Sequence, residues 1–237
     1  MVVHRRLAIL ARLSGPEGRL DTARLCELCA EVTAVDGAGI MLMSGDVARG
    51  SVATTDETAG RIEDLQYTLG EGPCVDAHHL GRPVLEDDLA DPAVARWPVF
   101  TAGALVAGVG AIFGFPLQVG AVRLGALNLY RVRPGPLSDE AHADALVAAD
   151  VVAETLMALQ AGAPGETLSA ELEENANFRF VVAQAAGMIS VQLDVSVTQA
   201  MVRLRGYAFA HDRPVDDVAA DVVNRRLHFD DVTASTS

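Results

Sequence analysis

A short run rich in glycine and proline, Ala161 to Thr167 (AGAPGET), divides the 237-residue chain into two parts with different hydrophobic periods. Before it, short apolar runs alternate with helical patterns, whereas after it the apolar repeats have helical spacing. A chain of this length accommodates about two domains of ~100–200 residues each. The break therefore predicts a mixed first domain and an all-helical second one.

Half of the residues are hydrophobic, yet no stretch of ~18 uninterrupted apolar residues occurs, which argues against a membrane-spanning helix. The longest apolar region, Val99 to Val122, is interrupted by glycines, Thr101, Pro116 and Gln118 and reads as two buried strands. The opening MVVHRRLAILARLSG has too short an apolar run for a signal peptide, contains Arg12 and lacks a small-residue cleavage site, so it predicts a helix. Three cysteines, an odd number, cannot close a disulfide framework and point to a reducing cytoplasm. Cys26 and Cys29 form C-x-x-C on a helical pattern with Leu25 and Leu28. With no second Cys/His pair to complete a zinc site, they read as packed thiols.

In the first part, Asp21–Val35 predicts a helix, and AGIMLMS and RGSVATTD predict strands joined through Gly45-Asp46. IEDLQYTLGEG reads as a short helix ending in glycines, RPVLEDDL as a strand, and VARWPVF as a helical turn. GAIFGFPLQVGAVRLGALNLYRV supplies two more strands about Val119-Gly120-Ala121. Ser138 is a favourable N-cap, and Asp139 and Glu140 open a helix running to about Gln160. This order predicts an α+β class, an antiparallel sheet with helices segregated to its faces. Beyond the break, helices are expected over Leu168–Leu193, from Ser196 with Gln199 completing a capping box, and from near Pro214. Leu168, Leu172, Asn175 and Arg179 share one helical face, and with the preceding helix they suggest a stalk that pairs with a second copy as a short coiled coil.

The net charge of −14 opposes a nucleic-acid partner at first sight, because phosphate contacts come from basic surfaces. The distribution counters this: residues 176–228 hold six arginines against five acids, and every basic residue in the chain is arginine, whose planar fork suits phosphate. Arg203, Arg205, Tyr207, Arg213, Arg225 and Arg226 are of the types that contact phosphates or stack on unpaired bases. Gln184 adds an amide, and Gly187 leaves room for another backbone to approach. For any one arginine, a solvated helix face is the competing reading. Cys74 follows Pro73 at a helix start, where a thiol can have a lowered pKa and be redox-sensitive; filling a core gap is the alternative. Adjacent His78 and His79 point about 100° apart on a helix and do not form a ligand pair, and Glu86, Asp87 and Asp88 read as a solvated turn. No nucleophile elbow, P-loop, zinc-protease or dinucleotide fingerprint is present.

The pattern GEGPCVDAHHLGRPVLEDDLADP, WPVF and GVGAIFGFPLQVGAVRLGALNLYR resembles the GAF sensor fold over most of residues 20–160. The stretch from Phe180 to Phe229, with its alanines, the Gly187 break and an LR-x-x-A-x-x-x-x-R block, resembles the ANTAR module of bacterial transcription antiterminators. The resemblance implies an α+β GAF-like sensor domain over 1–162 (core about 20–160), followed by a linker and helix start over 163–175. It further implies an all-α three-helix ANTAR-like domain over 176–229 and a disordered tail over 230–237. It implies a cytoplasmic, non-enzymatic homodimer in which a sensed signal controls binding to structured RNA hairpins in leader transcripts. The sensor ligand is unidentified. The glycine-rich region between Gly103 and Gly125 offers few polar anchors, so a small or largely apolar molecule, or none, is expected. A protein-interaction role for the helical module is the alternative. DNA recognition ranks lower, because Val197, Ala200, Met201, Leu204 and Ala208 occupy much of the helix that would need polar base-reading groups. Two features depart from the family pattern: Ala186 stands where many ANTAR domains have lysine, and no receiver-like domain is present.

Overall fold

The computed structural model describes residues 5–7, 9, 22–44, 47–91, 96–162, 181–182, 184–211 and 213–229. The chain divides into two compact units, Met1–Gly165 and Glu166–Ser237. In chain order the first contains α1 (Thr22–Thr33), β1 (Gly37–Ser44), β2 (Val47–Thr54), α2 (Glu57–Leu69), α3 (Pro73–Leu80) and β3 (Val84–Glu86). There follow α4 (Pro98–Val106), β4 (Ala111–Val119), β5 (Val122–Arg131) and α5 (Asp139–Gly162). The strands form one antiparallel sheet in the order β2-β1-β5-β4-β3.

Period-two alternation explains why helices cover both faces of this sheet. Ala38, Ile40, Phe113, Phe115, Leu117, Leu127 and Leu129 point to one side, where Leu25, Leu28 and Cys29 of α1 and Ala148, Val151 and Val152 of α5 meet them. The intervening residues Met41, Ile112, Ala126 and Tyr130 point to the other, against Ile62 of α2, Cys74 and Ala77 of α3, and Phe100 and Ala104 of α4. The α+β expectation for this unit holds.

The expectation of two strands over Val99–Val122 is corrected. Only its second half is a strand, because Pro98–Val106 is the helix α4. The reason lies at its start. Pro98 occupies the first turn, where its missing N–H costs nothing, and Glu71 Oε1 accepts from Val99 N at 3.2 Å and Phe100 N at 2.9 Å. A carboxylate brought from elsewhere in the chain thus caps a helix that the local sequence does not announce. α2 likewise starts earlier than the apolar pattern suggests, because Asp56 accepts from Ala59 N at 2.9 Å. β3 shrinks to three residues of the expected RPVLEDDL strand.

The second unit contains α6 (184–193), α7 (Val197–Ala210) and α8 (Val215–Val223). Ser196 caps α7 with the full reciprocal box to Gln199 read from the sequence, and Pro214 precedes α8 with Asp216 and Asp217 in its first turn. The Gly45-Asp46 turn, most of the helix expected at the N-terminus, the stretch from Leu168 to Phe180 and the tail from Asp230 lie outside the described residues. Among the described residues, no helix is long and apolar enough to cross a membrane.

Candidate functional site

In the helical unit the buried residues are nearly all small or aliphatic: Ala185, Ala186 and Ile189 of α6, Ala200, Leu204 and Ala208 of α7, and Val218, Ala219 and Val222 of α8. Such side chains let helices approach closely, which leaves the larger polar groups to the outside. Ala186 is wholly buried, so the position where lysine is common in the resembled family carries no outward group in this chain.

The candidate RNA-contacting residues fall into two groups. Gln184, Arg203, Arg225 and Arg226 are exposed. Arg205, Tyr207 and Arg213 are half-buried, and Tyr207 and Arg213 are engaged within the unit. Arg213 Nη2 donates to Asp221 Oδ2 at 2.7 Å, bracing the α7–α8 turn, and Arg226 Nη1 stands 3.7 Å from the other oxygen of the same carboxylate. The Tyr207 ring stacks on His211 with centroids 3.9 Å apart and leans on buried Phe229 at 5.4 Å. Gly187 is half-buried, but a Cβ there would meet nothing within 4 Å, so none of the described backbone uses the room it leaves. The turn after α8 places Arg225 at φ 59°, and the backbone N–H groups of Arg225 and Arg226 donate back to Val222 O at 3.0 Å and Asp221 O at 2.7 Å, while both side chains are exposed.

The first unit holds a polar cluster that the sequence alone did not reveal. Glu63 and Gln66 on α2 and Asn128 on β5 are buried in the layer between the sheet and helices α2 to α4. Asn128 Nδ2 donates to Glu63 Oε1 at 2.6 Å, and Gln66 Oε1 accepts from the backbone N of Cys74 at 2.7 Å. The polar atoms that remain, Glu63 Oε2, Gln66 Nε2 and Asn128 Oδ1, have no hydrogen-bond partner among the described residues. Two glycines make the space. A Cβ on Gly39 would lie 2.3 Å from Glu63 Oε1, and Gly72, at φ 131°, packs against Gln66. Burial pushes the Glu63 carboxyl up to about 8, with the Asn128 hydrogen bond opposing and neighbouring Asp64 adding to the rise. It is therefore largely neutral at pH 7 and has an O–H to offer.

A period-3.6 signal for this cluster was present: Ala59, Ile62, Glu63 and Gln66 occupy one face of α2, so the spacing that marks Ile62 as core marks the two polar residues as well. Asn128 shares its face of β5 with Ala126 and Tyr130. The expectation of few polar anchors, drawn from Gly103–Gly125 alone, is corrected by groups supplied from α2 and β5.

Cys74 is fully buried, and burial pushes its thiol well above the ordinary range, with Glu63 adding to the shift. The fold thus moves this thiol opposite to the lowering that a helix start can give. Cys26 and Cys29 are buried and free, and burial pushes Cys29 up to about 12. His78 is buried while His79 is exposed. Among the described residues, no group of three or more His, Cys, Asp or Glu side chains is placed to hold a metal ion.

Family models match both units. The GAF domain matches residues 22–151, and the ANTAR domain matches residues 170–223. Similar solved structures include the GAF domain of an Acinetobacter phosphoenolpyruvate-protein phosphotransferase, at 12% identity, TM-score 0.49, and coverage of 68% of this chain and 96% of that one. Another is the GAF domain of a phosphoenolpyruvate-protein phosphotransferase from Coxiella burnetii, at 14% identity and TM-score 0.49, covering 68% and 95%. A type II free methionine-R-sulfoxide reductase from Thermoplasma acidophilum follows at 17% identity and TM-score 0.43, covering 63% and 93%. No curated protein matches the sequence.

Proposed function

Because this chain belongs to the GAF domain family and carries an ANTAR domain after it, we propose that it is a signal-responsive transcription antitermination regulator. The sensor unit controls the binding of structured RNA hairpins in a leader transcript by the helical unit. The observation that carries this reading is the charge of α7: it bears Arg203 and Arg205 and no acid, in a chain of net charge −14. Exposed Arg225 and Arg226 extend the cationic groups beyond α8. Arginines on a scaffold with a small-residue interior suit backbone phosphates, whose contacts dominate nucleic-acid affinity.

The working unit is a cytoplasmic homodimer in which two helical units engage two hairpins and prevent a terminator from forming. The input is a small molecule held in the sensor layer near Glu63, Gln66 and Asn128, and it shifts the output only by preferring one arrangement of the protein. No catalytic step is assigned to either unit.

The test is fluorescence anisotropy of the full chain against labelled RNA stem-loops, with duplex DNA of equal length as comparison and light scattering for mass. The reading expects stem-loop binding that weakens with salt, little duplex-DNA binding, and a particle of twice the chain mass. Equal affinity for both nucleic acids, or for neither, contradicts it.

A further inference from the structure

Phe209 is 58% exposed and Val202 is 63% exposed, although α7 has a well-filled apolar face made by Ala200, Met201, Leu204 and Ala208. Helical spacing puts Val202, Gly206 and Phe209 on one outward strip about 10 Å long, two turns of helix. Arg203 flanks it. At the middle of the strip Gly206 has no side chain, and a Cβ built there would meet nothing within 4 Å. The strip is therefore a flat apolar surface ending in an aromatic ring.

Two rings compete for the role of stacking platform. Tyr207 is engaged by two rings, stacked on His211 at 3.9 Å and tilted against Phe229 at 5.4 Å. Its displacement would cost contacts inside the unit. Phe209 is the exposed large aromatic side chain of the described structure. Charge selects the occupant. The strip's charged neighbours on α7 are arginines, and α7 has no acid to repel a polyanion. A base stacked on a ring brings its phosphates alongside, and two arginines border the strip: Arg203 about 60° round the helix from Gly206, and Arg205 one turn before Phe209.

We infer that the outward strip of α7 is a base-stacking site, in which Phe209 carries an unpaired nucleobase of an RNA loop over the gap at Gly206 while Arg203 meets the adjoining phosphate. This rests on the RNA reading above and adds to it one residue, Phe209, and the place on α7 where an unpaired loop base is held.

The experiment uses the full chain and a pool of RNA stem-loops with one constant stem and a randomised loop. The best-bound loop is selected with the wild-type protein and then labelled in turn at each loop position with a fluorescent adenine analogue. Wild type is expected to change the fluorescence of at least one position. Phe209→Ala should abolish that change and weaken binding roughly 5- to 150-fold, with the salt slope unaltered. Phe209→Tyr should keep both, and Phe209→Leu should behave like the alanine variant because it keeps bulk without a π-face. Since the side chain is exposed, circular dichroism should be the same for all variants. Wild-type affinity in Phe209→Ala, or in Phe209→Leu, overturns the stacking site and leaves the RNA reading standing. A change in oligomeric mass on Phe209→Ala, with RNA binding intact, overturns it in favour of a protein contact. Failure of the wild-type chain to prefer any stem-loop over duplex DNA overturns the RNA reading and this inference together.

Discussion

The two units place their polar groups in opposite ways. Every buried polar or charged residue among those described, Thr33, Glu63, Gln66, His78 and Asn128, lies in the sensor, while the helical unit is filled by alanine, valine, leucine, isoleucine, methionine and Phe229. In the helical unit Gln184, Arg203, Arg225 and Arg226 are on the surface instead. A buried polar group is costly unless it is satisfied, so an interior with unfilled hydrogen-bonding capacity is sensitive to what enters it or to its protonation. An apolar interior has no such handle; it fixes geometry and leaves specificity to the surface. The difference matches a division of labour between sensing and presenting.

Several changes test that contrast. The largest effect is expected from Phe100→Ala, which empties a fully buried aromatic site against the sensor sheet and should cost roughly 3–5 kcal/mol in denaturant unfolding. A loss below about 1 kcal/mol would mean that the α4 layer is not packed as described.

The next effect comes from Glu63. Its folded pKa of about 8 lies above the ordinary 4.5, so the native state holds a proton that the unfolded chain releases between those values. The contribution is fully present below the unfolded value and is lost as pH rises through about 8, on the order of a few kcal/mol. Glu63→Gln should flatten this dependence in thermal melts between about pH 5 and 9, because the amide imitates the neutral carboxyl toward Asn128. An unchanged pH profile in that variant would assign the dependence elsewhere. Among local features of the helical unit, Ser196→Ala removes the side-chain half of the α7 capping box and should cost about 1 kcal/mol. Arg213→Ala should have the smallest effect on stability, because its pair with Asp221 is partly exposed and such pairs contribute little.

How much of this was legible in the sequence depends on whether the cause was local. The Ser196 capping box, the Pro214 start and the β4–β5 hairpin were readable because each depends on residues adjacent in sequence. α4 was misread as strand because its cap, Glu71, lies 28 residues before Val99. The Glu63–Asn128 pair, 65 residues apart, joins a helix face to a strand face that only the folded register brings together. At the candidate interface, residue types were readable but availability was not. Arg213 and Tyr207 have the right chemistry, yet Asp221 meets Arg213 only once the turn into α8 has formed, whereas His211, one helical turn after Tyr207, is a local neighbour whose stacking the i, i+4 spacing allows.

The central claim is that the outward arginines of the helical unit bind RNA phosphates while Arg213 chiefly braces the fold. It is tested most directly by the salt dependence of stem-loop binding for the wild-type chain, Arg203→Ala, Arg225→Ala and Arg213→Ala. Wild type should show log affinity falling linearly with log salt. Arg203→Ala and Arg225→Ala should each flatten that line by roughly 0.7–0.9 in slope, and Arg213→Ala should leave it nearly unchanged. Slopes identical to wild type in both outward variants, with their circular dichroism intact, would contradict the account.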